Sequence, residues 1–205
     1  MISEEEIQRY LPKYLSPESY SEIISELKDF PDNLDKRMYS LLNENVIYQG
    51  DIIKDFPIID LRHLENGTKY RDVIVLSNTC DIYDGNSRLN QNNIVYAPLI
   101  QLERYISYLQ QCGEKGDIIQ NHINSIKKQR NSSILYLPAS GIISDSIVFL
   151  DSVLSISTSF LNGKQISGIR IHSLSNYGFY LLLFKLSVHF CRMQEKVDRK
   201  PVFSD

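Results

Sequence analysis

Hydrophobic positions between residues 48 and 100 fall into short runs separated by turn-forming residues. Tyr48-Gln49-Gly50-Asp51-Ile52-Ile53 opens the stretch, Val73-Ile74-Val75-Leu76 is its most apolar run, and Ile94-Val95-Tyr96-Ala97-Pro98-Leu99-Ile100 closes it. An unbroken apolar run reads as a strand covered on both faces. Between the second and third runs, Asp84-Gly85-Asn86-Ser87-Arg88-Leu89-Asn90-Gln91-Asn92-Asn93 is dense in turn formers, so Ile94–Tyr96 is expected to return antiparallel beside 73–76.

Helical periodicity flanks this β region. Residues 1–45 read as a helical arm. Ser3 and Glu6 have capping-box spacing, and Ser16-Pro17-Glu18 starts a helix whose Tyr20, Ile23, Ile24 and Leu27 form one apolar stripe. A third helix is expected over 34–42, with Met38, Leu41 and Leu42 inward. The arm packs on the β core in the simpler reading and docks a partner in the other. Residues 101–131 read as a helical insertion, with one stripe at Leu102, Tyr105, Ile106 and Leu109, closed by Cys112-Gly113, and another at Ile118, Ile119, Ile123 and Ile126. The basic run Lys127-Lys128-Gln129-Arg130 that follows complements a helix dipole, with phosphate contact as the sharper alternative. β chemistry returns at Ile134–Leu137, across Ser146–Ile156 and at Ile166–Ile171. Short strands at this spacing favour a barrel or sandwich. A final helix is expected from about Asn176 to Gln194; its apolar residues surround it, which demands burial in the fold or against another subunit. Residues 195–205 read as a frayed tail. The domain reading is therefore an arm (1–45), a β domain with a helical insertion (46–194) and a tail.

Composition narrows the class. With 205 residues, 42% hydrophobic and 23% charged, the chain is globular rather than disordered. A formal charge of −3 excludes coating nucleic acid by bulk charge but leaves room for a local basic site. Cys80, Cys112 and Cys191 are widely spaced, with neither zinc nor disulfide spacing, which suits a reducing compartment. The acidic start is not a signal peptide, and Lys185 and His189 interrupt the one apolar stretch near membrane length. The expectation is a cytoplasmic protein that does not enter the membrane.

The chemistry-bearing residues cluster around the central run. Arg71 stands at its mouth, with Asp72 beside it, and Asn78-Thr79-Cys80-Asp81 follows it. Asp81 is expected to open the next loop by an Asx turn, and Cys80 to be a small buried strand residue. His63, His122, His172 and His189 show no ligand spacing, so no metal is expected. Lys185 and Arg192 are expected to snorkel from the last helix to its rim.

In order, these segments resemble the MazF/PemK family of endoribonuclease toxins. Gly50-Asp51-Ile52 matches its opening strand, then come Pro57, Arg71-Asp72-Val73-Ile74-Val75-Leu76-Ser77 in the place of its Arg-Pro-x-Val-Val-Leu-Ser strand, Ala97-Pro98, and Gly141–Ile156 before a closing helix. The resemblance implies an α+β fold, mainly antiparallel β: a small SH3-like barrel decorated by the arm, the insertion and the long C-terminal helix. It also implies metal-independent cleavage of single-stranded RNA without a cofactor, homodimerisation, and a protein partner such as an antitoxin. Arg71 takes the position of the catalytic arginine, whose forked donors fit a phosphate in its pentacovalent transition state. The family's threonine is replaced by Leu99-Ile100, and its proline after the arginine by Asp72. Arg62, His63, Lys69 and Tyr70 form the expected RNA-contacting patch, the alternative being a solvated loop. Asp51, Asn78, Thr79 and Asp81 are the remaining polar candidates. The alternative function is a catalytically inactive binding or assembly module, for instance a small subunit of a toxin-antitoxin or prokaryotic defence complex.

Overall fold

A computed structural model of the chain describes residues 37–59, 67–83, 85 and 92–190. In chain order these form β1 (Tyr39–Ser40), β2 (Ile52–Ile58), β3 (Lys69–Val75), α1 (Thr79–Ile82), β4 (Asn93–Gln101), α2 (Leu102–Gln111), α3 (Gly116–Lys127), β5 (Ile134–Leu137), β6 (Ser146–Phe149), β7 (Leu154–Ser157), α4 (Ile166–Ile169), β8 (Arg170–Leu174) and α5 (Asn176–Phe190). The fold is α+β, and every pairing in its eight-stranded sheet is antiparallel. The expected helices at 1–12 and 17–29 lie outside the described residues. The helix expected over 34–42 does not survive into its described part: Tyr39 and Ser40 pair with Leu174 and Ser173 of β8, and Leu41 is 81% exposed. The strand expected at 166–171 begins instead as the single turn α4 and becomes extended only at Arg170.

The sheet runs β1-β8-β2-β3-β4-β6-β5, with β7 also on β4. β4 holds it together. Tyr96–Pro98 pair with β3 along one edge, while Asn93–Tyr96 take β7 and Leu99–Gln101 take β6 along the other. Alternation then sorts the side chains into two faces. Ile52, Ile74, Ala97, Leu135, Leu137 and Val148 share one cluster with Leu181 and Leu182 of α5. On the opposite face, Ile53, Phe56, Val73, Val75 and Tyr96 pack with Ile166 of α4, and Ile134, Tyr136 and Ile147 pack with Ile119, Ile123 and Ile126 of α3. The unbroken apolar run 73–76 is therefore covered on both faces, as its composition requires. α5 buries one side, at Tyr177, Gly178, Leu181, Leu182 and Lys185, while Phe190 is exposed.

The sheet is open. β1 and β5 stand at its two ends and no ladder among the described residues joins them, so the expected barrel does not close. Two features stop it. β1 offers only two residues of backbone, and the outer edge of β5 is already occupied by side chains. The Gln129 amide donates to the Tyr136 carbonyl at 2.6 Å and accepts from the Tyr136 N–H at 3.1 Å, imitating a neighbouring strand. Gln129 reaches this pose by following α3 in the left-handed region, at φ 54°. Farther along the same edge, Lys185 Nζ donates to the carbonyls of Ile134 and, at 2.6 Å, Asn131. Lys185 is thus not a snorkelling rim charge; it is 3% exposed, because the free carbonyls of β5 lie inward of α5. Arg192 lies outside the described residues.

An unmasked β5 edge invites pairing with other chains. Gln129→Ala is expected to cost about 1–3 kcal/mol in denaturant unfolding and to raise light scattering on mild heating, because both hydrogen bonds to Tyr136 disappear inside the protein.

Burial pushes the Lys185 ammonium down from 10.5 to about 7. The unfolded chain keeps that proton to higher pH than the folded one, so stability rises with pH above about 7. Denaturation curves taken between neutral pH and about pH 9 are expected to show this rise in the wild type and to flatten in Lys185→Met.

Candidate nucleic-acid interface

β2 and β3 form a two-stranded ribbon in which Phe56, Pro57 and Ile58 lie opposite Arg71, Tyr70 and Lys69, the β2 side packed on the core through Phe56 and the β3 side exposed. The register slips between Ile53 and Phe56, where Lys54 and Asp55 form a bulge with Asp55 at φ 61°. Bulges bend and twist a strand locally, and this one sits across from Arg71 and Asp72. Lys69, Tyr70, Arg71 and Asp72 are all exposed, Tyr70 at 56%. Alternation puts Lys69 and Arg71 on one face of the ribbon and Tyr70 on the other. β4 pairs only with residues 73–75 of β3, so the edge of β3 beyond Asp72 carries no strand among the described residues. Partial burial raises the Asp72 carboxyl and Asp55 adds to that, while Lys54 and Arg71 pull it back. This stretch of the ribbon thus combines three cations, Lys54, Lys69 and Arg71, with two acids, Asp55 and Asp72. Arg62 and His63 lie outside the described residues.

The other polar candidates belong to the scaffold. Asp51 is fully buried. Its Oδ2 accepts from Arg170 Nε at 2.9 Å and from the Tyr48 N–H at 2.9 Å, and its Oδ1 accepts from Ser173 Oγ at 2.5 Å. Burial raises the Asp51 carboxyl, opposed by Ser173 and then Arg170. Arg170, 3% exposed in its side chain, spends its remaining donors on the carbonyls of Leu42 (3.0 Å), Glu44 (2.8 Å) and Val46, and stacks over Tyr48 with 5.6 Å to the ring centre. Gly50, at φ 88°, makes the turn that delivers Asp51, donating to the Val75 carbonyl at 2.8 Å. The Gly50-Asp51 pair therefore anchors the 42–48 segment.

Thr79 Oγ1 accepts from the Gln49 N–H at 3.0 Å, joining the same corner. Asn78 caps α1 through the Cys80 N–H at 2.9 Å. Asp81 sits exposed inside α1, whose capping side chain is Asn78, three residues earlier; most of the loop that follows lies outside the described residues. Cys80 is exposed on that helix, not buried in a strand, because the chain turns helical as soon as β3 ends. Arg71 and this corner occupy opposite ends of β3, and nothing brings them together. Among the described residues, no group of three or more His, Cys, Asp or Glu side chains is placed to hold a metal ion. No described helix is long and apolar enough to cross a membrane.

Sequence reasoning missed Arg170 and Ser173 of β8, and weighed their neighbour His172 only as a possible ligand, which it discounted. The signal was present: Arg170-Ile171-His172-Ser173 interrupts an apolar run with polar groups at strand spacing, which calls for buried partners. No protein-family model matches the chain, and no curated protein is similar to it in sequence.

Removing one member of a buried ion pair leaves the other charge stranded. Arg170→Leu and Asp51→Leu are each expected to destabilise by about 3–5 kcal/mol in denaturant unfolding, and the double variant by clearly less than the sum of the two.

Proposed function

We propose that the protein is a MazF/PemK-like, SH3-like module that binds single-stranded RNA through the β2–β3 ribbon and does not cleave it. The observation that carries this reading is the exposure of Lys69, Tyr70 and Arg71 on consecutive positions of one strand, with Lys54 on the bulge beside them. Cations there reach phosphates, and Tyr70 offers a face on which a base can stack. Cleavage needs more than a guanidinium. The attacking 2′-hydroxyl must lose a proton and the leaving oxygen must gain one. A hydroxyl and a carboxylate of the family-like segment, Thr79 and Asp51, are bonded into the scaffold at the far end of β3. The adjacent acids Asp55 and Asp72 weaken the attraction for phosphate, which favours modest, salt-sensitive binding.

Anisotropy of a labelled, mixed-sequence single-stranded RNA measures this. Lys69→Glu/Arg71→Glu is expected to weaken binding at least about tenfold and to flatten its salt dependence, the log–log slope falling by about 0.7 for each phosphate no longer neutralised. Tyr70→Ala is expected to weaken it by about 1–3 kcal/mol with the salt slope unchanged. Equal binding by wild type and double variant overturns the reading. The same RNA incubated without metal is expected to stay intact; 2′,3′-cyclic phosphate ends that disappear in Arg71→Ala would make the protein an endoribonuclease instead.

A further inference from the structure

The two ends of the curled sheet meet through side chains. On β1, Tyr39 donates its hydroxyl to the Pro138 carbonyl at 2.7 Å, and its ring stacks on His172 of β8 with centres 4.8 Å apart and planes 22° from parallel. His172 Nε2 lies 2.6 Å from Ser140 Oγ, in the tight turn that follows β5. That turn is closed by reciprocal backbone bonds between Ser140 and Ile143 at 2.8 and 2.9 Å. His172 is buried, and its Nδ1 is sealed from solvent with no hydrogen-bond partner.

Proton placement follows from that orphan atom. A neutral imidazole carries one proton. On Nε2 it is donated to Ser140 Oγ, and Nδ1 keeps a bare lone pair, which is easier to bury than an unpaired N–H. A second proton has to enter at Nδ1, where no acceptor waits. The same fact argues against Ser140 as a nucleophile. Proton transfer from Ser140 to His172 would create an imidazolium whose Nδ1–H has no carboxylate to steady it.

We propose that the His172–Ser140 contact is an acid-sensitive latch: protonation of His172 frees the 139–143 turn from β8 and opens the seam between the two ends of the sheet. The neighbouring charges do not quench the added proton. Asp51, beside β2's Ile52 in the register opposite His172, has its oxygens committed to Arg170, Tyr48 and Ser173. Asp145, in the latch loop, is held by Tyr136, the Ala139 N–H and Lys127. Lys185 of α5 is bound to the Asn131 and Ile134 carbonyls, and Tyr39 gives its proton to Pro138. Burial already holds the His172 pKa below its usual 6.5. The open form, with an exposed imidazole, takes up a proton near 6.5 while the closed form resists until lower pH. The open form thus binds more protons across that interval, and acid favours it.

Hydrogen exchange of the full-length protein, corrected for the intrinsic pH dependence of the amides, tests the latch between about pH 7.5 and pH 5. Protection in peptides spanning 139–143 and 37–40 is expected to fall at least about tenfold with acid, while α2–α3 peptides stay constant. His172→Gln, whose side-chain amide can donate to Ser140 but does not titrate, is expected to hold protection at both ends of the range. Constant protection in the wild type, or an equal acid-induced loss in His172→Gln, overturns the proposal. Nitrogen chemical shifts of His172 give a second reading that needs no variant: an Nε2–H tautomer at neutral pH supports the latch, and an Nδ1–H tautomer overturns it.

Discussion

The buried pair of Asp51 and Arg170 sets the terms for the rest of the fold. Desolvating two charges costs several kcal/mol per ion, and mutual attraction offsets that only when every remaining donor and acceptor is also satisfied. Here they are. Both carboxylate oxygens are occupied, and the guanidinium fork spreads over Asp51 and the carbonyls of Leu42, Glu44 and Val46. Because the fork is planar and fixed, it can hold those carbonyls only if residues 42–48 wrap around the junction of β2 and β8. The pair thereby decides where the chain enters the sheet, and that entry lets β1 lie beside β8.

The same logic recurs at the sheet's ends. A closed barrel satisfies edge groups with backbone from the next strand. This sheet stops short and uses side chains: the Gln129 amide and the Lys185 ammonium on β5, and Tyr39 and Ser140 across the gap. Side-chain bonds of this kind are individually no weaker than ladder bonds, but they are not mutually reinforcing. Each depends on one protonation state or one rotamer. Strands joined by ladders open cooperatively, whereas a seam of single bonds can open alone, at a free energy below that of global unfolding. The insertion helices contribute differently, covering Ile134, Tyr136 and Ile147 so that β5 and β6 have apolar cover on both faces.

Periodicity made the apolar frame legible. The run 73–76, the two helical stripes of the insertion, Ile134–Leu137 and the last helix all occur where hydrophobic spacing put them, because burial of apolar area is additive along a strand or helix and leaves its imprint locally. The polar skeleton was not legible, for an equally physical reason. Arg170 and Asp51 are 119 residues apart, and nothing local to either says which partner neutralises it. Lys185 looked like a rim charge because lysine usually reaches solvent, and only the unpaired carbonyls of Asn131 and Ile134 explain why it turns inward. The helix turn at Thr79–Ile82, capped by Asn78, was not legible either, because it depends on where β3 stops, a tertiary matter. Of the candidate site, Lys69, Tyr70 and Arg71 were identifiable as exposed because they precede the apolar run, whereas the scaffold bonds of Asp51 and Thr79 were not legible, because a polar residue bound into the scaffold and one awaiting a ligand look alike in sequence.

Separation of skeleton from surface bears on what the ribbon can do. Charges that build the fold are neutralised internally, and a formal charge of −3 over the whole chain gives polyanions no long-range attraction. The proposed association with RNA then depends on the short-range field of Lys54, Lys69 and Arg71, which salt screens over about 8–10 Å. Asp55 and Asp72 lie inside that radius and compete for the same cations, the Asp72 carboxyl being raised in part by Asp55. A strand of RNA approaching the ribbon must displace those interactions before it gains its own. That exchange disfavours indiscriminate phosphate binding, and under the proposed function it leaves the advantage to an unpaired base that also stacks on Tyr70 over a duplex.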